Sequence, residues 1–253
     1  MDPLRFAFHY FTNLPLPGEP DWNEKTAAAS LTWLPLTGLI LGICLAAMGL
    51  VFVSAGFPQY QPLKALLIVA LELWIGGARF IGGFCHSCDG LFSRLGRFRS
   101  LEIINEASVN APGALGLSFF ILAKLFLLTE LSYQANFIYL LVFYPCWARW
   151  AFSFAAFNYH VAKEEGMAFF FKTGQKPLYI ILSSVFVLLV LVIMPRSFYP
   201  AALASFAAVL FCCAQIQLRL GGQTEETYGM TAAVAELSFL LFAAISGMVF
   251  SYL

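Results

Sequence analysis

The sequence predicts an all-α, polytopic integral membrane protein of about seven transmembrane helices. Three observations carry that expectation. The 253-residue chain is 60% apolar and 11% charged, with 27 phenylalanines and a mean hydropathy of +0.80, a composition suited to lipid rather than water. Apolar runs long enough to cross a bilayer, roughly 20 residues each, recur along its length. Lysine and arginine gather in alternate connecting segments.

Residues 1–26 read as an interfacial lead-in, with Phe8, Tyr10 and Trp22 suited to the headgroup boundary and a loop of proline, glycine and acids between them. The apolar stretch there is too short for a cleavable signal peptide, and none is expected. The predicted spans are Thr26–Phe57, Leu63–Phe84, Gly113–Tyr133, Phe137–Phe157, Leu178–Met194, Tyr199–Ile216 and Gly229–Tyr252. Together they make one membrane-embedded domain, 1–253, in which a bundle over 27–253 carries loops at 85–112, 158–177 and 217–228. With the N-terminus inside, those loops hold Arg94, Arg97, Arg99, Lys163, Lys172, Lys176 and Arg219, against Lys64 and Arg196 on the other side. The bias places the N-terminus and all three loops in the cytoplasm, as in a multi-pass bacterial inner-membrane protein. The lipid bilayer is then the first partner.

The charge balance, 14 basic against 14 acidic residues, supplies no field to draw nucleic acid, so no nucleic-acid partner is expected. The six cysteines lie mostly in apolar runs and suggest no disulfide framework.

Candidate chemistry gathers at 75–113, where glycines, His86, Ser87 and Asp89 precede three arginines and two glutamates. CHSCDG, residues 85–90, lacks a second ligand pair for zinc and the βαβ context of a redox motif. Asp89, Glu106 and Glu226 offer oxygen ligands to Mg²⁺, and His86 is either a further ligand or a hydrogen-bonding group at a helix end. Arg94 and Arg97 either clamp phosphate oxygens through their planar donor forks or serve topology alone. Gln223, Thr224 and the glutamates after them either bind a metal or ribose, or cap the last helix. Glu72, Arg79, Lys124, Glu130, Arg149 and Glu236 fall within predicted spans, where a charge must pair or face a cavity.

FTNLPLPGEPDW at 11–22, SLTWLPLTGLILG at 30–42, CDGLFSR at 88–94, LEI at 101–103, LAKLFLL at 122–128, AKEEG at 162–166 and GGQT at 221–224 resemble, in order and spacing, the adenosylcobinamide-GDP ribazoletransferase family of cobalamin synthases. The resemblance implies transfer of α-ribazole, or its 5′-phosphate, to adenosylcobinamide-GDP with release of GMP and use of Mg²⁺. It implies catalytic roles for Asp89, Glu106, Lys124 and Arg149, and a metal set of Asp89, Glu106, Glu226 and His86. Arg94, Arg97, Glu165, Gln223, Thr224 and Glu236 would bind substrate, the cationic groups facing phosphates or the corrin's amides. The family pattern has a histidine and three aspartates where this chain has Phe80, Gly82, His86 and Asp89, and an acid where it has Ala233. A non-catalytic relative that keeps a corrinoid or a partner is therefore a second expectation. A homo-oligomer is left open.

Overall fold

The computed structural model describes residues 2–14, 16–54 and 60–250, with the backbone alone at 78 and 248–250. The described residues form twelve helices and no strand: α1 Asp2–Phe11, α2 Glu24–Ser30, α3 Leu34–Ser54, α4 Gln61–Gly76, α5 Ala78–Phe92, α6 Arg97–Asn105, α7 Ala111–Leu131, α8 Phe137–Asn158, α9 Gly166–Thr173, α10 Pro177–Ile193, α11 Phe198–Leu220 and α12 Glu225–Phe250. The predicted span ends at Phe57 and Tyr252 lie outside the described residues, as does Pro15. Five helices, α3, α7, α8, α11 and α12, are long and apolar enough to cross a bilayer, and seven spans result if each of two bent pairs counts as one.

The axis of the bundle is α8. Along α3, GLILG places Gly38 and Gly42 one turn apart, and a Cβ on Gly38 would stand 2.8 Å from the Cα of Cys146. Small residues let two helix backbones touch where lipid offers no hydrophobic drive to hold them apart or together. Pro145 lacks an amide hydrogen, which frees the Leu141 carbonyl, and that oxygen lies 2.8 Å from where a Gly42 Cβ would sit. On its other faces α8 is tied by hydrogen bonds: Trp147 Nε1 to Ser205 Oγ of α11 at 2.9 Å, and Trp150 Nε1 to Ser184 Oγ of α10 at 3.0 Å.

The structure corrects four predicted segments, two spans and two loops. Leu63–Phe84 is not one straight span, because the chain turns 94° between α4 and α5. Gly77 makes the turn, with φ 71° and ψ 167°, a region open essentially to glycine alone. The break is capped from a distance: the Asn13 amide donates to the Ile75 carbonyl at 2.8 Å, and Asn13 Nδ2 to the Trp74 carbonyl at 2.7 Å. Those are carbonyls that a helix end leaves without internal partners. The predicted loop 85–112 is then largely helical, comprising the second half of α5 and all of α6. Likewise loop 158–177 contains α9, at 96° to α10, and Thr26–Phe57 divides into α2 and α3.

An aromatic cluster binds these short helices over one end of the bundle. Phe11 of α1 lies 5.7 Å from Phe80 of α5, 5.1 Å from Phe152 of α8 and 5.9 Å from Phe171 of α9, ring centre to ring centre. Tyr228 of α12 joins through Phe152 at 5.1 Å.

Replacing Gly77 by alanine is expected to destabilise the protein by about 1–3 kcal/mol, the cost of holding a side-chain residue in that backbone region. Thermal unfolding in detergent reads it, and an unchanged midpoint would contradict the glycine's role.

Candidate functional site

The structure sorts the polar residues into an interior cluster and a loop-end cavity. In the interior, Lys124 of α7 is 3% exposed, and its ammonium stands 2.6 Å from Glu72 Oε2 of α4 and pairs with Glu236 of α12. The Tyr144 hydroxyl of α8 donates to the same Glu72 oxygen at 2.6 Å. A single cation thus holds two carboxylates, and four helices converge on it. Glu72, Lys124 and Glu236 stand out in the sequence as charges among apolar residues. Tyr144 does not, since nothing separates it there from other aromatics.

Arg149 of α8 borders the same region at 4% exposure. Its guanidinium lies 4.4 Å from the centre of the Phe80 ring, a cation–π stack. Its Nε and Nη1 are buried with no hydrogen-bond partner among the described residues. The cavity between Arg149 and the Lys124 cluster is narrow, about 50 Å³.

At the loop end, residues 158–177 and 217–228 are stitched together. Val161 and Gln223 form a parallel bridge, in which the Ala162 amide donates to the Gln223 carbonyl at 2.8 Å and the Gln223 amide to the His160 carbonyl at 2.7 Å. Gly222 permits the approach, since a Cβ there would fall 2.5 Å from the Ala162 nitrogen. The join lines a half-open polar cavity of about 510 Å³, bordered by Asn105, Lys163, Glu165, Gln223, Thr224 and Glu226. Two of these residues are structural in themselves. Thr224 Oγ1 accepts from the Thr227 amide at 3.3 Å, capping α12, and the Thr227 hydroxyl donates to Gln223 Oε1 at 2.8 Å. Lys163, Glu165 and Glu226 have no side-chain hydrogen bond or ion pair among the described residues, so they are the charged groups available to a ligand.

Glu225, also on this cavity, is held from α1 and α5. The Tyr10 hydroxyl donates to its Oε1, and Arg79 Nη1 stands 3.5 Å from the same oxygen while its guanidinium covers the Tyr10 ring at 3.9 Å. Burial, and then the Glu225 charge, pushes the Tyr10 pKa well above its ordinary value, so the hydroxyl stays a donor. Tyr10 and Arg79 carry no motif that marks this role in the sequence.

The four expected Mg²⁺ ligands are not brought together. Asp89, 1% exposed, accepts from the Asn110 amide at 2.9 Å on Oδ2 and from the Gly113 amide at 2.7 Å on Oδ1. Both oxygens therefore serve the first turn of α7, whose amide groups have no partners within the helix. Glu106 lies 3.6 Å from Arg99 Nη2, and His86 Nδ1 is buried without a partner. Among the described residues no three His, Cys, Asp or Glu side chains form a metal-binding group. Asp89, Glu106, Glu226 and His86 thus do not fit Mg²⁺ as a set. The arginines part company too. Arg97 packs against Gly221 at the C-terminal end of α11, where a cation meets exposed carbonyls. Arg94, with φ 57°, lines a separate cavity of about 360 Å³ with Arg219, which donates to the Leu91 carbonyl.

A family model described as cobalamin-5-phosphate synthase matches residues 3–244. The adenosylcobinamide-GDP ribazoletransferase of Desulfitobacterium hafniense is 32% identical over 249 residues, covering 95% of this chain and 96% of that protein. Those of Citrobacter koseri and Escherichia coli K12 are each 30% identical, over 241 and 242 residues, covering 92% of this chain and 95% of theirs. No solved structure matches the chain.

Removing the Asp89 cap by alanine is expected to lower stability by about 1–2 kcal/mol, as for loss of other helix caps. The fall in unfolding midpoint should be equal with and without Mg²⁺. A deficit that appears only when Mg²⁺ is present would return Asp89 to the metal.

Proposed function

Since the chain belongs to the cobalamin-5-phosphate synthase family, we propose that it joins α-ribazole, or its 5′-phosphate, to adenosylcobinamide-GDP and releases GMP. In this reaction a ribazole hydroxyl oxygen bonds to the cobinamide-side phosphorus, the bond from that phosphorus to the bridging oxygen breaks, and GMP leaves with that oxygen. The hydroxyl proton passes to a base. Transfers of this kind need groups held in line and charge neutralised more than covalent help from the protein.

The observation that carries the reading is the half-open cavity where loops 158–177 and 217–228 join. At about 510 Å³ it falls in the range of small-molecule sites, and it is bordered by both carboxylates and a lysine. Glu165 and Glu226 are the candidate proton acceptors, and Lys163 offsets charge on the diphosphate. Mg²⁺ is proposed to enter as the counter-ion of that diphosphate, because substrate phosphates commonly supply much of its coordination. The loops' excess of lysine and arginine supports a cytoplasmic site and N-terminus in a bacterial inner membrane.

A second reading is favoured by one observation. Each Asp89 oxygen accepts from an amide at the start of α7, which gives that carboxylate a structural part, as would suit a relative that binds a corrinoid without turning it over.

Purified protein given adenosylcobinamide-GDP, α-ribazole 5′-phosphate and Mg²⁺ is expected to yield the nucleotide-looped corrinoid and GMP in equal amounts. Glu226→Gln should lower kcat/KM about 100-fold, in the range for loss of a general base. Tight binding of adenosylcobinamide-GDP with no GMP formed would favour the second reading.

A further inference from the structure

A guanidinium buried inside an apolar bundle is costly to keep unless something pairs with it. Arg149 is in that position: 4% exposed, with Nε and Nη1 unpartnered among the described residues. Phe80 covers one face of it at 4.4 Å, and no acid lies within ion-pair distance among the described residues. The cavity it borders is also lined by Glu72 and Glu236, with Lys124 between them, and by Gly76, Gly77 and Ala233, which leave the space open.

What the cavity accepts follows from charge, polarity and size. Its ionisable lining consists of Arg149, Lys124, Glu72 and Glu236. An anion would stand against the Glu72 and Glu236 carboxyl groups as well as meet Arg149, whereas a neutral group avoids that opposition. The neutral group must present an acceptor to Arg149, and the carboxylates opposite favour a donor at its other end. The volume is about 50 Å³. At about 10–15 Å³ for each water-sized atom, this admits about four non-hydrogen atoms. A primary carboxamide on one methylene has four: two carbons, one oxygen and one nitrogen.

Resting on the transferase reading, we infer that this interior cavity takes a side-chain carboxamide of the corrinoid substrate, its carbonyl oxygen on Arg149 and its NH₂ toward Glu72 or Glu236. At the α4–α5 bend Gly76, Gly77 and Phe80 border the cavity, the side from which the carboxamide would enter. The interior cluster then has a binding role apart from the phosphate chemistry at the loop end.

The test compares cobinamide binding to detergent-purified wild type and Arg149→Met, each with its unfolding midpoint. Arg149→Met removes an unpaired buried charge, so its midpoint should hold or rise while cobinamide binds at least about tenfold more weakly, one charge-assisted hydrogen bond's worth. A corrinoid with its side-chain amides hydrolysed to carboxylates should lose wild-type affinity. Wild-type affinity for cobinamide in Arg149→Met, or tighter binding of the hydrolysed corrinoid, would overturn the inference, as would wild type that binds no cobinamide. Turnover is read separately: a chain that binds cobinamide through Arg149 yet forms no GMP keeps this inference and loses the transferase reading.

Discussion

The contact on which the arrangement most depends is the sharing of one ammonium, Lys124, between Glu72 and Glu236. In the interior of an apolar bundle neither carboxylate has water to turn to, so α4, α7 and α12 can adopt only registers that bring all three groups together. Tyr144 adds α8 to the set through Glu72. Glu72 lies about one turn before the α4–α5 break, so fixing Glu72 also fixes where the chain turns at Gly77, and hence where α5 begins. Arg149 follows Tyr144 on α8 and is carried to the edge of the same space.

The same helix that supplies Glu236 starts at the loop end. Between Glu225 and Glu236 lie 11 residue steps, about 16 Å of helix, so α12 spans from the polar cavity to the interior cluster. Its first turn is locked by Thr224, Thr227 and Gln223, and Gln223 in turn is bridged to Val161. Glu225 is fixed by Tyr10 and Arg79, while Asn13 caps α4. The N-terminal helix α1 and the residues just after it therefore clamp both the bend and the start of α12. A substrate reaching from the loop cavity toward Arg149 would meet surfaces that α1, α4, α5 and α12 hold jointly.

Much of the fold was legible as apolar runs, because a bilayer demands length and hydrophobicity and both are additive along the chain. The breaks were not. IGGARFIGGF reads as apolar but for Arg79, and what stops the helix is the backbone of Gly77 together with Asn13, more than sixty residues away in sequence. In the site, Lys124, Glu236 and Arg149 were visible because charge is costly where they lie, but their sorting into a closed cluster and an unpartnered guanidinium depends on which helix faces meet. Asp89 shows the opposite difficulty. A carboxylate between a cysteine and a glycine looks the same in sequence whether it faces a metal or the open amides of another helix, and only the arrival of Asn110 and Gly113 distinguishes them. Gln223 and Thr224 read in sequence as either ligand or cap, and they take part in the start of α12 while also bordering the cavity.

The claim that the shared ammonium organises the bundle is tested most directly by stability measurements on Lys124→Met alone and combined with Glu72→Gln and Glu236→Gln. Stripping the cation leaves two buried carboxylates uncompensated and is predicted to cost about 3–5 kcal/mol, the range for breaking a buried pair from one side. Neutralising both carboxylates in the same chain should then recover a substantial part of that loss, a coupling of about 1–3 kcal/mol. Costs that simply add across the three substitutions would contradict the account.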